Sequence, residues 1–189
     1  MTDGDVQSGS KTIAIMQPYL FPYIGYFQLA HSVDEFWLLD NVNFIRRGWM
    51  NRNNLLVNGN RWLYTIPVNS GPRDQLILHK TFSPDAVHTI DKLYGTLHTS
   101  YSKAPHLDRV LELVAAVRDA IVASSKPADF TETTEFALRK AFDMIGIATP
   151  IYRVSSLNLA NGLSGQGRIL AACEAVGANR YVMYRAVAN

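Results

Sequence analysis

Hydrophobic and polar positions along this chain switch between two periods, and the switches mark its elements. Thr12 to Met16 (TIAIM) is a short apolar run stopped by Gln17 and Pro18, the pattern of a buried strand. Tyr23 to Ser32 fits a helix, and Glu35 to Leu39 (EFWLL) predicts a second strand ending at Asp40. Residues 41–60 are rich in Asn, Gly and Arg and read as loops and short turns. Arg61 to Val68 alternates and carries aromatic and β-branched residues, so a third strand is expected there, ending near Pro67. Ser70-Gly71-Pro72 is a turn.

The middle of the chain is helical in pattern. Ser83-Pro84-Asp85 predicts a helix start, with Ser83 as N-cap and Pro84 at the first helical position. Leu107, Val110, Leu111, Val114, Val117 and Ile121 follow three- and four-residue steps and make one apolar face. Pro127 separates that helix from another at roughly Thr131 to Ile145, closed by Gly146. A short strand is predicted at Ile151 to Val154, after Pro150. Ser155 to Gly167 is polar and glycine-bearing; Arg168 to Val176 is helical, Gly177 caps it, and Arg180 to Tyr184 reads as a last strand. Strands alternating with helices at both ends predict an α/β fold of three layers with a mostly parallel sheet of about five strands. The helices over about 83–146 form an inserted cover. Residues 1–11 read as a disordered leader and 12–189 as a single α/β domain.

Composition narrows the picture. With 189 residues, 48% hydrophobic and 18% charged, the chain can bury a core and disorder as its main state is excluded. Its single cysteine, Cys173, excludes an intramolecular disulfide framework and a cysteine-cluster metal site, and fits a cytoplasmic setting. Residues 12–33 carry no Asp, Glu, Lys or Arg, but Pro18 and Pro22 would break a spanning helix, so no membrane span is expected. The five histidines have no zinc-like spacing, and no metal site or Ser-His-Asp or Cys-His pair is expected. Net charge is only +2, too small for a general nucleic-acid binder. The charge is unevenly spread: residues 41–80 hold Arg46, Arg47, Arg52, Arg61, Arg73 and Lys80 against Asp74 alone, a local balance of +5. That points to a small anionic ligand held locally.

Four segments carry candidate chemistry. The loop Gln17 to Phe27 follows a buried strand and opens a helix, where free backbone N–H groups and a positive dipole end face outward. Gly25 allows close approach, and Tyr19, Tyr23 and Tyr26 add flat surface and hydroxyls; the alternative is a rigid packed turn. Asp40, with Asn41 and Asn43, sits just past the second strand on the same rim, as a ligand for a cation or amine or as a turn cap. Arg46 to Asn53 combines three guanidiniums, Trp49 and the amides of Asn51 and Asn53, a set suited to phosphate or carboxylate. Adjacent Arg46 and Arg47 should diverge, so at most one of them need face a ligand. Ser164 to Arg168, with Gln166, is a glycine-bearing helix start that is friendly to phosphate but lacks the P-loop lysine.

At these residues the chain resembles a known family. IAIMQPYLFPYIGYF, DNVNFIRRGWMNRN, YSKAP and SSLN…SGQGRILAACEAVGANRY are similar to the WbqC-like family, over about Thr12 to Tyr181. Members occur in gene clusters for surface polysaccharides and other natural products, and the resemblance implies modification of sugars by acyl or aminoacyl transfer. A more distant similarity implies a Rossmann-like, nucleotidylyltransferase-like fold, in which Tyr23-Ile24-Gly25-Tyr26 stands where that superfamily has His-x-Gly-His. Tyrosine is not cationic near neutral pH, so the Arg cluster would have to supply the phosphate-binding charge. The family pattern continues past the Gly-Ala-x-x-Tyr strand, whereas this sequence stops at Asn189.

The expectation is a cytoplasmic transferase acting on an activated sugar or related small anionic metabolite. Asp40 and Tyr26 are its expected catalytic residues. Gln17, Tyr19, Tyr23, Gly25, Asn41, Asn43, Arg47, Asn51, Arg52, Asn53, Gln166 and Arg168 are its expected substrate-binding residues. The alternatives are a nucleotidylyl or adenylyl transferase using a nucleotide with Mg²⁺, and a non-catalytic binding module, acting as a homo-oligomer or beside a partner subunit.

Overall fold

The computed structural model describes residues 10–160 and 162–183. The apolar run Thr12–Met16 is strand β1, followed by helix α1 (Ile24–His31) and strand β2 (Glu35–Leu38). Strands β3 (Arg52–Val57) and β4 (Asn60–Thr65) come next. Three helices follow: α2 (Ala86–Ser100), α3 (Leu107–Val122) and α4 (Phe130–Ile145). Strand β5 (Ile151–Arg153), helix α5 (Gly165–Ala175) and strand β6 (Arg180–Tyr181) complete the described chain.

The main sheet has four strands in the order β5-β2-β1-β6, and every neighbouring pair is parallel. From β1 the chain winds through β2 to β5 on one side, then returns to place β6 on the other side of β1. The direction of winding therefore reverses between β1 and β6. Side chains alternate across the sheet as a pleat demands. Ala14, Phe36 and Leu38 face one layer with Leu29 of α1 and Leu138 and Phe142 of α4. Ile13, Ile15 and Trp37 face the other layer, against Ala172 and Ile169 of α5. Both faces being covered explains why β1 and β2 read as near-continuous apolar runs.

The expected five-strand sheet is corrected here. The strand around Arg61 leaves the main sheet and pairs antiparallel with β3, in a segment whose pattern suggested only loops. Asn58 and Gly59 both have positive φ, 50° and 76°, and join the two strands as a two-residue hairpin. This hairpin packs with α2 and α3 in a separate core that includes Tyr64, Ile66, Phe82, Leu93, Val114 and Phe130. Helices α2, α3 and α4 occupy the middle of the chain, and the first starts later than the Ser83-Pro84 signal predicts. Helix α2 begins at Ala86, and Ser83 Oγ accepts from Asp85 N at 3.3 Å instead of capping the helix. Helix α4 is capped by Asp129, which accepts from Glu132 N at 2.7 Å, and ends at Gly146 with φ 77°. Helix α5 starts at Gly165, three residues before Arg168.

Of the expected leader, residues 1–9 lie outside the described residues. Lys11 is tied down: its backbone N donates to Asn179 Oδ1 at 2.9 Å and its ammonium pairs with Glu35 at 2.7 Å. Tyr184, expected in the last strand, also lies outside the described residues.

Candidate functional site

Beyond β1 the chain cannot continue the ladder, because Pro18 has no N–H to give. It turns across the C-terminal edge of the sheet instead. Leu20, 1% exposed, sinks into the hairpin-side core, and its N–H donates to Met50 O at 2.7 Å. Tyr26 returns from α1 to brace the same loop. Its hydroxyl donates to Gln17 O at 3.1 Å, and its ring stacks on Tyr19 with centroids 5.8 Å apart. Tyr26 is 0% exposed, and burial pushes its hydroxyl well above the ordinary tyrosine range. A phenol so placed holds its proton and ties the loop to α1. Gly25 is buried beside it in the first turn of α1, which carries no acidic residue.

The loop forms one wall of a cleft of about 400 Å³ at the end of β1. Met16, Tyr19, Pro22 and Tyr23 line it from the loop, Trp49 from the following segment, and Asn53, Asn54 and Arg61 from the hairpin. Asn53 stitches the two sides together: its amide donates to Phe21 O at 3.0 Å, and its Oδ1 accepts from Asn54 N at 2.8 Å. Trp49 is 47% exposed, a large apolar face left open at the cleft. Aromatic faces beside amides and a guanidinium are a surface that stacks on a ring and hydrogen-bonds its hydroxyls.

A second pocket, about 370 Å³, lies on the other side of β3's start, lined by Arg46, Arg47, Asn51, Arg52 and Lys80 among others. Arg46 and Arg47, expected to diverge, both line this pocket. Gly48 N closes a tight turn on Ile45 O at 3.0 Å, and Arg47 takes a left-handed φ of 60° inside it. A left-handed arginine is sparsely populated and is held here by the turn. Arg52 connects the two spaces: its guanidinium lies 4.9 Å from the Trp49 ring centroid. Asn51 is 7% exposed, and its amide donates to Ile66 O at 2.8 Å, which fixes the strand entering the hairpin.

Asp40 is 1% exposed. Its Oδ1 accepts from Ser155 N at 2.9 Å and its Oδ2 from Ser155 Oγ at 2.5 Å. The carboxylate thus joins the ends of β2 and β5, with one hydrogen bond accepted at each oxygen. Asp40, expected on the rim, is found there at the end of β2, buried and hydrogen-bonded to Ser155. Asn41 has its Oδ1 buried without a partner, and Asn43 bridges Leu76 through the backbone while its side chain is exposed. Gln166 and Arg168 stand at the start of α5, on the sheet face opposite α1. Arg168 donates to Leu163 O, and neither residue lines the cleft or the basic pocket.

The structure therefore brings together Tyr19, Tyr23 and Asn53 in the cleft, and Arg47, Asn51 and Arg52 in the pocket beside it. The sequence expectation passed over Asn54, Arg61 and Lys80. Their signal was present: Asn58-Gly59 predicts a hairpin that carries Asn54 and Arg61 to one side, and Lys80 belongs to the same acid-poor segment as the arginines. Among the described residues, no three His, Cys, Asp or Glu side chains gather to hold a metal ion, and no helix is long and apolar enough to cross a membrane.

Comparison with known proteins agrees with the sequence resemblance. The chain is 27% identical over 173 residues to the uncharacterized protein Rv1507c of Mycobacterium tuberculosis, covering 91% of this chain and 71% of that protein. No solved structure gives a significant match. The WbqC-like protein family matches residues 17–188, which spans the loop, the cleft, the basic pocket and α5, and the chain belongs to that family.

Proposed function

We propose that the protein is a transferase that modifies a sugar or related metabolite in surface-polysaccharide or natural-product biosynthesis. The reaction is acyl or aminoacyl transfer. The observation that carries this reading is the cleft at the end of β1, where the exposed Trp49 and the tyrosines of the loop stand beside Asn53, Asn54 and Arg61. A sugar ring lies against Trp49 and Tyr23, and its hydroxyls meet the amides. Its amine or hydroxyl bonds to the carbonyl carbon of an activated acyl donor. The bond from that carbon to the leaving group breaks, and the nucleophile's proton leaves with the departing group or to solvent. Asp40 and Tyr26 keep the walls of the cleft in register.

The strand order supports a Rossmann-like reading of the fold, since ligands of open α/β sheets bind where the winding reverses. Here that point is the end of β1, from which the cleft opens. Family membership supports the biosynthetic setting.

The test is tryptophan fluorescence of the full chain titrated with a uridine diphosphate-linked amino sugar. Trp49→Phe should remove most of the ligand-dependent change, and Arg61→Gln should weaken binding about tenfold, the loss of one charge-assisted hydrogen bond. A response that survives unchanged in both variants places the sugar elsewhere and ends this reading.

A further inference from the structure

Four cations share the pocket beside the cleft, and no Asp or Glu lines it. Among the described residues none of Arg46, Arg47, Arg52 and Lys80 takes part in an ion pair. This is costly, because like charges repel and buried cations lose hydration. Lys80 is 4% exposed, and its ammonium gives one hydrogen bond, to Asn69 O at 3.0 Å, while lying 5.2 Å from the Phe44 ring centroid. An ammonium has three protons to donate. Burial and the neighbouring Arg46 both push Lys80 below the ordinary lysine range. Arg52 Nε is buried without a hydrogen-bond partner. Arg46 spends one donor on Gly71 O. Arg47, held in its left-handed turn, is exposed at the pocket.

A set of cations without acidic partners, gathered against their own repulsion and with donors to spare, is completed by an anion. The number of charges selects which anion. One carboxylate balances one of the four cations, whereas phosphate or diphosphate balances two or more and offers several oxygens to the guanidinium forks. We propose that the Arg46, Arg47, Arg52 and Lys80 pocket is a phosphoryl subsite. It holds the phosphate or diphosphate end of a ligand whose sugar end crosses the Trp49–Arg52 contact into the aromatic cleft. The sugar end rests on the transferase reading above; the phosphoryl subsite does not.

Isothermal titration of the full chain at low salt with pyrophosphate, with acetate as the singly charged control, tests the subsite. Pyrophosphate should bind at least tenfold more tightly than acetate. Arg46→Gln and Arg47→Gln, both at exposed positions where the fold tolerates change, should each weaken pyrophosphate about tenfold. Lys80→Met, which keeps the packing against Phe44, should do the same, with circular dichroism confirming the fold. Equal binding of acetate and pyrophosphate, or pyrophosphate binding unchanged by Arg46→Gln and Arg47→Gln in folded protein, overturns the subsite. The two readings fail separately. Loss of pyrophosphate binding in these variants, with Trp49 silent to the sugar ligand, keeps the subsite and removes the transferase reading. A Trp49 response without pyrophosphate binding does the reverse.

Discussion

Tyr26 and Tyr64 carry buried hydroxyls that keep their protons well past the ordinary tyrosine value, because the phenolate would lose its hydration. In the unfolded chain both ionise near pH 10, roughly the free value. Above that pH the unfolded state gives up protons that the folded state retains. Their contribution to stability is therefore fully present below about pH 10 and is lost as pH rises beyond it. Lys80 runs the other way, since its lowered value makes the folded state release a proton first, but burial also raises Tyr19, Tyr181 and Cys173, which act in the same direction as Tyr26 and Tyr64. Urea unfolding at about pH 8 and about pH 11 should show a clear loss of stability at the higher pH, and Tyr64→Phe should reduce that loss. A flat wild-type profile across this range would contradict the burial argument. At this scale the sequence is readable for identity and less so for role. Asp40 and Tyr26 stand where the strand ends put them. What they do depends on Ser155, 115 residues away in sequence, and on the carbonyl of Gln17, and no local pattern announces such pairings.

The elements divide along the same line. Strands β1 and β2 and the helices from α3 to α5 follow from periodicity, because each buries a face whose spacing is local. Strand β3 does not, since Arg52, Asn53 and Asn54 are poor strand formers, and its pairing with β4 supplies what propensity lacks. The Asn58-Gly59 turn was the legible cue. The other decisive element is the turn from Ile45 to Gly48. A Cβ at Gly48 would stand 2.9 Å from Ile45 O, so Gly48→Ala must shift that backbone. The variant should stay folded but lose some thermal stability, and it should weaken pyrophosphate at least as much as Arg47→Gln, because both guanidiniums move with the turn. Unchanged binding, measured by the same titration, would show that the turn does not set the pocket.

Across the whole molecule the net charge of +2 hides a division. The basic segment over residues 41–80 holds the turn and the hairpin, and its residues line both the cleft at the end of β1 and the pocket beside it. The rest of the chain sums to −3 and supplies the parallel sheet and its covering layers. Local excess charge and topology thus coincide in one region, with a ring-binding cleft and a cationic pocket meeting at Trp49 and Arg52. The most direct test of this account is a crystal structure of the full chain with a uridine diphosphate-linked amino sugar. The account predicts the phosphates among Arg46, Arg47, Arg52 and Lys80 and the sugar against Trp49; the ligand seated at any other surface, with both spaces empty, would contradict it.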